Sequence, residues 1–193
     1  MFTKKIDIYN PDIWIECNNL KNSSKIYQIM KKLNVTHYAY VLCFKKNVYS
    51  YEIFKIGQSA PSGSRKNIKE MGERLARQVA HLPGWGEGKP ASSHGYDLIL
   101  SIERNLVENK ISNQVLNKDE WAVGIWNLNT YDCLAKANNQ SQAEWAEGEL
   151  TAQYKRLNCG SLPMGNIVDP SNNLSYKNPY VSKMTFEMFF EEG

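Results

Sequence analysis

Four kinds of side chain occur along this chain in an order that suits the breaking of a phosphodiester. A tyrosine-rich run, Tyr38-Ala39-Tyr40-Val41-Leu42, is followed by Phe54-Lys55-Ile56-Gly57-Gln58-Ser59. Then come Glu73-Arg74-Leu75-Ala76-Arg77-Gln78 and, much later, Glu147-Gly148-Glu149-Leu150. An ammonium beside a phenol favours the phenolate, the form able to take a proton from water. A guanidinium presents a planar fork that matches two phosphate oxygens at once, and a carboxylate completes the set. Each part also has a plain reading: a tyrosine with its hydroxyl at the surface, a lysine snorkelling from a sheet edge, an arginine on a solvated helix face. The order and the local contexts together are what point to chemistry.

These residues have to be held by elements whose periodicity is visible. Residues 37–44 and 49–56 are rich in aromatic and β-branched types and are separated by a short polar link, which reads as a β-hairpin. Alternation puts Tyr38, Tyr40, Leu42 and Phe44 on one side of the first strand and Tyr51, Ile53, Lys55 and Gly57 on one side of the second. The hairpin can therefore bring Tyr40 and Lys55 together. After the loop Ala60-Pro61-Ser62-Gly63-Ser64, Ile68, Met71, Leu75, Val79 and Leu82 form a helical stripe. Arg74, Arg77, Gln78 and His81 line a polar stripe beside it. Trp121 to Leu128 is a further strand. Ser141 and Glu144 have the form of a capping box for a helix through Ala146, Leu150, Tyr154 and Leu157, which Gly160 and Pro163 stop. A short amphipathic helix is expected over 24–33 and another over 98–107; residues 1–20 mix apolar and polar types irregularly. The order implies an α+β domain, a small antiparallel β-sheet of about three strands flanked by helices. The corresponding organisation is an amino-terminal arm and helix (1–36), the central domain (37–166), and a carboxy-terminal tail (167–193) that docks through Phe186, Met188, Phe189 and Phe190.

With 193 residues, 42% hydrophobic and 22% charged, the chain can bury a real core. No run approaches the roughly 18 apolar residues of a membrane span, and Asp7, Asn10 and Asp12 interrupt any signal core. Cys17, Cys43, Cys133 and Cys159 lie far apart, with no zinc-ligand spacing. The expectation is a cytoplasmic protein with reduced, mostly buried thiols. The net charge of +3 conceals an asymmetry: residues 1–100 carry 15 Lys/Arg against 8 Asp/Glu, whereas residues 101–150 carry 4 against 8. A basic first half suits a polyanion, because neutralised phosphates release counterions; scattered surface lysines would give the same count.

The residues also resemble a family. Tyr38-Ala39-Tyr40 and Lys55-Ile56-Gly57-Gln58-Ser59 are similar to the two signatures of the GIY-YIG nucleases, with Tyr40 in the place of the catalytic tyrosine. Lys55 stands where most members have tyrosine; some phage-borne and restriction-type branches share Lys-Ile-Gly. The family's arginine falls on Arg74 with Gln78 in the place often held by histidine, or on Arg77 with His81, which keeps an Arg-x-x-x-His spacing. The metal-binding glutamate, three residues before a leucine, matches Glu147 before Leu150, and a late asparagine matches Asn158 or Asn166. The resemblance spans residues 37–166. It implies a DNA endonuclease using one Mg²⁺ or Mn²⁺ ion held by Glu147, with Tyr40 as general base, Lys55 assisting it and Arg74 stabilising the phosphorane. Site-specific duplex cleavage is the first substrate expected, with repair-like or homing-like cleavage open, and a restriction-type member would allow an oligomer. Lys66, Lys69 and Lys89, in or near the loops at 58–66 and 83–95, are candidate DNA contacts, as is the tail after Gly160. A nucleic-acid-binding module of the same fold without turnover is the competing expectation, and Lys55 in place of tyrosine is what keeps it alive.

Overall fold

A computed structural model of the chain describes residues 5–16, 23–61, 121–131, 139–163, 165, 166 and 168–173. In order these form β1 (Ile13–Glu16), α1 (Ser23–Lys32), β2 (Tyr38–Asn47), β3 (Ser50–Ser59), β4 (Trp121–Asn127) and α2 (Asn139–Leu157), with short 3-10 turns at Leu128–Thr130 and Pro170–Asn173. The four strands make one open antiparallel sheet in the order β1-β4-β2-β3. The protein is thus an α+β fold, with one strand more than the alternation pattern shows. Residues 5–16, grouped above with an amino-terminal arm, contribute that strand and two core side chains, Ile6 and Ile8.

The hairpin folds as its composition dictates. Aromatic and β-branched residues fit a pleated, buried surface, and β2 is buried from Tyr38 to Phe44. Its neighbour β4 is buried along its whole length, as a strand covered on both faces must be. Tyr38, Tyr40, Leu42 and Phe44 pair with Asn127, Ile125, Val123 and Trp121, so these share one face. Ala39, Val41 and Cys43 point to the other and join Ile56, Trp126, Ala143, Ala146 and Leu150 in a core cluster. Through Ala143, Ala146 and Leu150 the α2 helix packs on this second face, opposite Tyr40.

One irregularity decides the geometry of β3. Its register shifts between Leu42 and Cys43, where Leu42 faces Lys55 but Cys43 faces Ile53. Phe54 is the extra residue of a β-bulge, which reverses the alternation on either side of it. Lys55 and Gly57 therefore lie on the Tyr40 face, while Tyr51 and Ile53 pack against the α2-side cluster. Strict alternation would have kept all four together. Phe54 itself turns to the Tyr40 face, edge-on to Trp121 at 5.3 Å, with Phe44 at 5.9 Å from the same indole.

Helix ends are set by left-handed residues. Asn34 (φ 52°) lets Val35 N–H reach back to the Met30 carbonyl, closing α1 and burying Val35 in place of Leu33, which stays 45% exposed. Cys159 (φ 53°) and Gly160 close α2 in the same way, with Gly160 N–H donating to Lys155 O at 2.8 Å. The α2 helix starts at Asn139, so Ser141 and Glu144 lie within its first turns instead of forming the cap. Cys43 is buried and Cys159 exposed. Among the described residues no helix is long and apolar enough to cross a membrane.

Two amide side chains act as splints. Gln153 of α2 accepts from Ile8 N–H (2.9 Å) and donates to the Ile6 carbonyl (2.9 Å), fastening the amino-terminal segment to the helix. A buried His37, at the entrance to β2, contacts Gln142 of α2 through Nε2 and the Thr36 hydroxyl through Nδ1. Burial pushes the His37 pKa below the usual imidazole range, although the bonds to Gln142 and Asn129 oppose the shift. The unfolded chain then takes up a proton that the native imidazole resists. Stability is complete above the ordinary imidazole pKa and falls as pH drops towards the native value. Urea midpoints should decline as pH falls through and below the ordinary imidazole range, and His37→Gln should flatten that slope. An unchanged slope in His37→Gln would assign it to other groups. Asp169 titrates in a separate, more acidic window: burial raises its pKa, but bonds from Lys155 and Ser171 outweigh this and hold it low.

Candidate active site

The site begins at the pairing of Tyr40 with Gly57. A Cβ on Gly57 would lie 2.5 Å from both Cζ and Oη of Tyr40, so the phenol lies directly across the glycine. No other residue leaves that space, which gives the Gly of the second signature a packing reason. Lys55 is two residues along the same strand and on the same face, opposite Leu42. Ser59 pairs with Tyr38 at the other end of this patch, and the two tyrosine rings stand 6.1 Å apart. Tyr40 is only 3% exposed, so its ring position is set by packing.

The outer edge of β3 is clamped at this point. Gly165 N–H donates to the Phe54 carbonyl at 2.8 Å. The Asn166 side chain accepts from Ile56 N–H (2.8 Å) and donates to the Ile56 carbonyl (2.9 Å), pairing like a strand residue between Lys55 and Gly57. Gly165 is needed because a Cβ there would strike the Phe54 ring at 2.5 Å. Asn158 does something else: it is exposed and its amide donates to the Tyr154 carbonyl at 2.8 Å, at the end of α2. Of the two asparagine candidates, Asn166 is the one beside the hairpin signatures, and its role there is to position the strand.

Glu147 is half-buried, one residue beyond Ala146 of the α2 seam, and its turn is fixed by the Thr151 hydroxyl bonding to its carbonyl at 2.7 Å. The helix lies over β2 and β3. Its apolar seam is on the face opposite Tyr40, so a carboxylate from Glu147 meets the Tyr40 face only around the β3 edge or the strand ends. Glu149, by contrast, is buried, accepts from Gln153 at 3.0 Å and sits 3.5 Å from the Arg156 guanidinium. Its work is structural.

The donor chemistry fits a hard cation: one carboxylate on a rigid helix suits Mg²⁺, which keeps several waters and takes its remaining ligands from a phosphate. Among the described residues no three His, Cys, Asp or Glu side chains gather at one point. Arg74, Arg77, Gln78 and His81 lie outside the described residues, as do Lys66, Lys69 and Lys89. No family model, curated protein or solved structure matches the chain.

Gly57→Ala tests the closeness of the hairpin pair directly. The added methyl must displace a ring that is already buried, an overpacking expected to cost about 1–3 kcal/mol. Urea denaturation should show the loss. A variant as stable as wild type would mean that the Tyr40 ring has another place to go.

Proposed function

We propose that this chain is a metal-dependent DNA endonuclease of the GIY-YIG type. The observation that carries the reading is the hairpin patch, in which Tyr40 lies across Gly57 with Lys55 on the same face. Tyr40 takes a proton from the attacking water, and the Lys55 ammonium favours the phenolate that does so. Arg74 offsets the charge that gathers on the phosphorane. Glu147 would hold the cation, which would supply Lewis-acid stabilisation to the phosphate. Asn166 keeps the edge strand, and so Lys55 and Gly57, in register. Duplex DNA is the first substrate, cleaved at a specific site.

A binding module without turnover is favoured by one observation, the packing of α2 on the face opposite Tyr40. Supercoiled plasmid incubated with protein and Mg²⁺ separates the two. The nuclease nicks or linearises it; a module retains it in a salt-sensitive manner without nicking. Arg74→Ala should abolish nicking through lost transition-state stabilisation. If Arg77→Ala is instead the inactive variant, the arginine lies one turn further along its stripe.

A further inference from the structure

The β2–β3 hairpin outruns the sheet that carries it. β4 pairs with β2 only from Tyr38 to Phe44, whereas β3 continues to pair with β2 as far as Asn47 and Ser50. Beyond Phe44 the two strands form a ribbon with no third strand beside them among the described residues. Its tip is Val48-Tyr49, 77% and 96% exposed, the two most exposed large apolar side chains among the described residues. Lys45 and Lys46 precede this tip, and no acidic residue occurs between Asn34 and Tyr51.

A tip that serves only as a turn favours Asn, Asp and Gly, which tolerate its backbone and stay solvated. Val48 and Tyr49 instead leave most of their surface in water. Lysines next to an aromatic and an aliphatic side chain suit a partner that offers both phosphates and apolar base surface. The major groove of duplex DNA is such a partner; it admits a two-stranded β-ribbon and displays thymine methyl groups between phosphate rows.

We propose that the Lys45–Ser50 tip of the hairpin enters the major groove of duplex DNA, Val48 and Tyr49 meeting base edges and Lys45 a flanking phosphate. This rests on the nuclease reading for its choice of DNA, and it adds where along the duplex the protein reads. From Tyr40 to Val48 the strand covers about 26 Å at about 3.3 Å per residue, or about 8 base pairs at 3.4 Å each. The ribbon contacts lie about that far to one side of the scissile phosphate.

The test is binding of the full chain to a 40-base-pair duplex in EDTA, read by fluorescence anisotropy with dimethyl sulfate footprinting of guanine N7. The variant is Val48→Ser with Tyr49→Ser, which changes solvent-facing atoms and leaves Tyr40, Lys55 and Glu147 in place. The expected result is binding at least about tenfold weaker, the scale of losing one good base-edge contact, with loss of N7 protection at one flank. Equal binding and an unchanged footprint overturn the proposal and leave the nuclease reading intact. If wild type binds no DNA at all, both readings fall. A change in oligomeric state on light scattering, with DNA binding unaltered, assigns the tip to a second copy of the chain and also overturns the proposal.

Discussion

Tyr40→Phe should lower the rate of plasmid cleavage by at least ~100-fold while leaving the fold unchanged, the usual scale for losing a positioned acid or base. The separation of effects follows from the packing. The ring is 3% exposed and lies across Gly57, so phenylalanine fills the same space and keeps the contacts that hold the hairpin. Only Oη is removed, the atom that the proposed chemistry needs. Lys55→Met should depress the rate less, since in the proposed chemistry Lys55 only assists the base on whose face it lies. Wild-type turnover in Tyr40→Phe would move the role elsewhere. Tyr38 is the first substitute, because it shares the face and its ring is 6.1 Å away, though it is fully buried opposite Ser59.

What the sequence discloses here is uneven, for physical reasons. Period-two alternation from Tyr38 to Phe44 is strict, so the shared face of Tyr38, Tyr40, Leu42 and Phe44 could be read directly, whereas its junction with Trp121, Val123 and Ile125 rests on the β2–β4 pairing. The same rule put Lys55 and Gly57 on the correct face of β3 but carried Tyr51 and Ile53 with them. A bulge at Phe54 has no compositional mark, since its extra residue is apolar like its neighbours. β1 escaped because Ile13-Trp14-Ile15-Glu16 is only one turn of alternation long, placed just after Asn10-Pro11 and Asp12, which read as turn residues. Its strand character comes from the pairing partner, Ile125 to Ala122 of β4. The choice between Asn158 and Asn166 needed the path of the chain after α2, which no local pattern encodes. Likewise the α2 periodicity revealed its apolar seam but not which face of the sheet that seam would cover.

That last point makes Glu147→Gln the most informative substitution, expected to abolish Mg²⁺-dependent cleavage and to retain DNA binding in EDTA. Glutamine is nearly isosteric, and the Thr151 bond goes to the Glu147 main-chain carbonyl, so the helix should be undisturbed. The carboxylate charge alone is lost, and with it the hard donor a divalent cation needs. The matched control is Glu144→Gln, half-buried one turn earlier on the same helix. Glu149→Gln, which spacing alone would offer as a control, is unsuitable. Its carboxylate is buried against Gln153 and Arg156, and Gln153 in turn holds the Ile6 and Ile8 main chain. A loss of activity there would report a loosened amino-terminal segment and nothing about metal. Because α2 packs opposite Tyr40, Glu147 can serve the phenol's side of the sheet only around the β3 edge, which Asn166 holds at Ile56, or around the strand ends. Selective loss in Glu147→Gln would mean that the carboxylate serves the chemistry by one of these routes. Undiminished cleavage by Glu147→Gln, or full wild-type cleavage in EDTA, would remove the metal from Glu147 and leave the Tyr40 face to work without it.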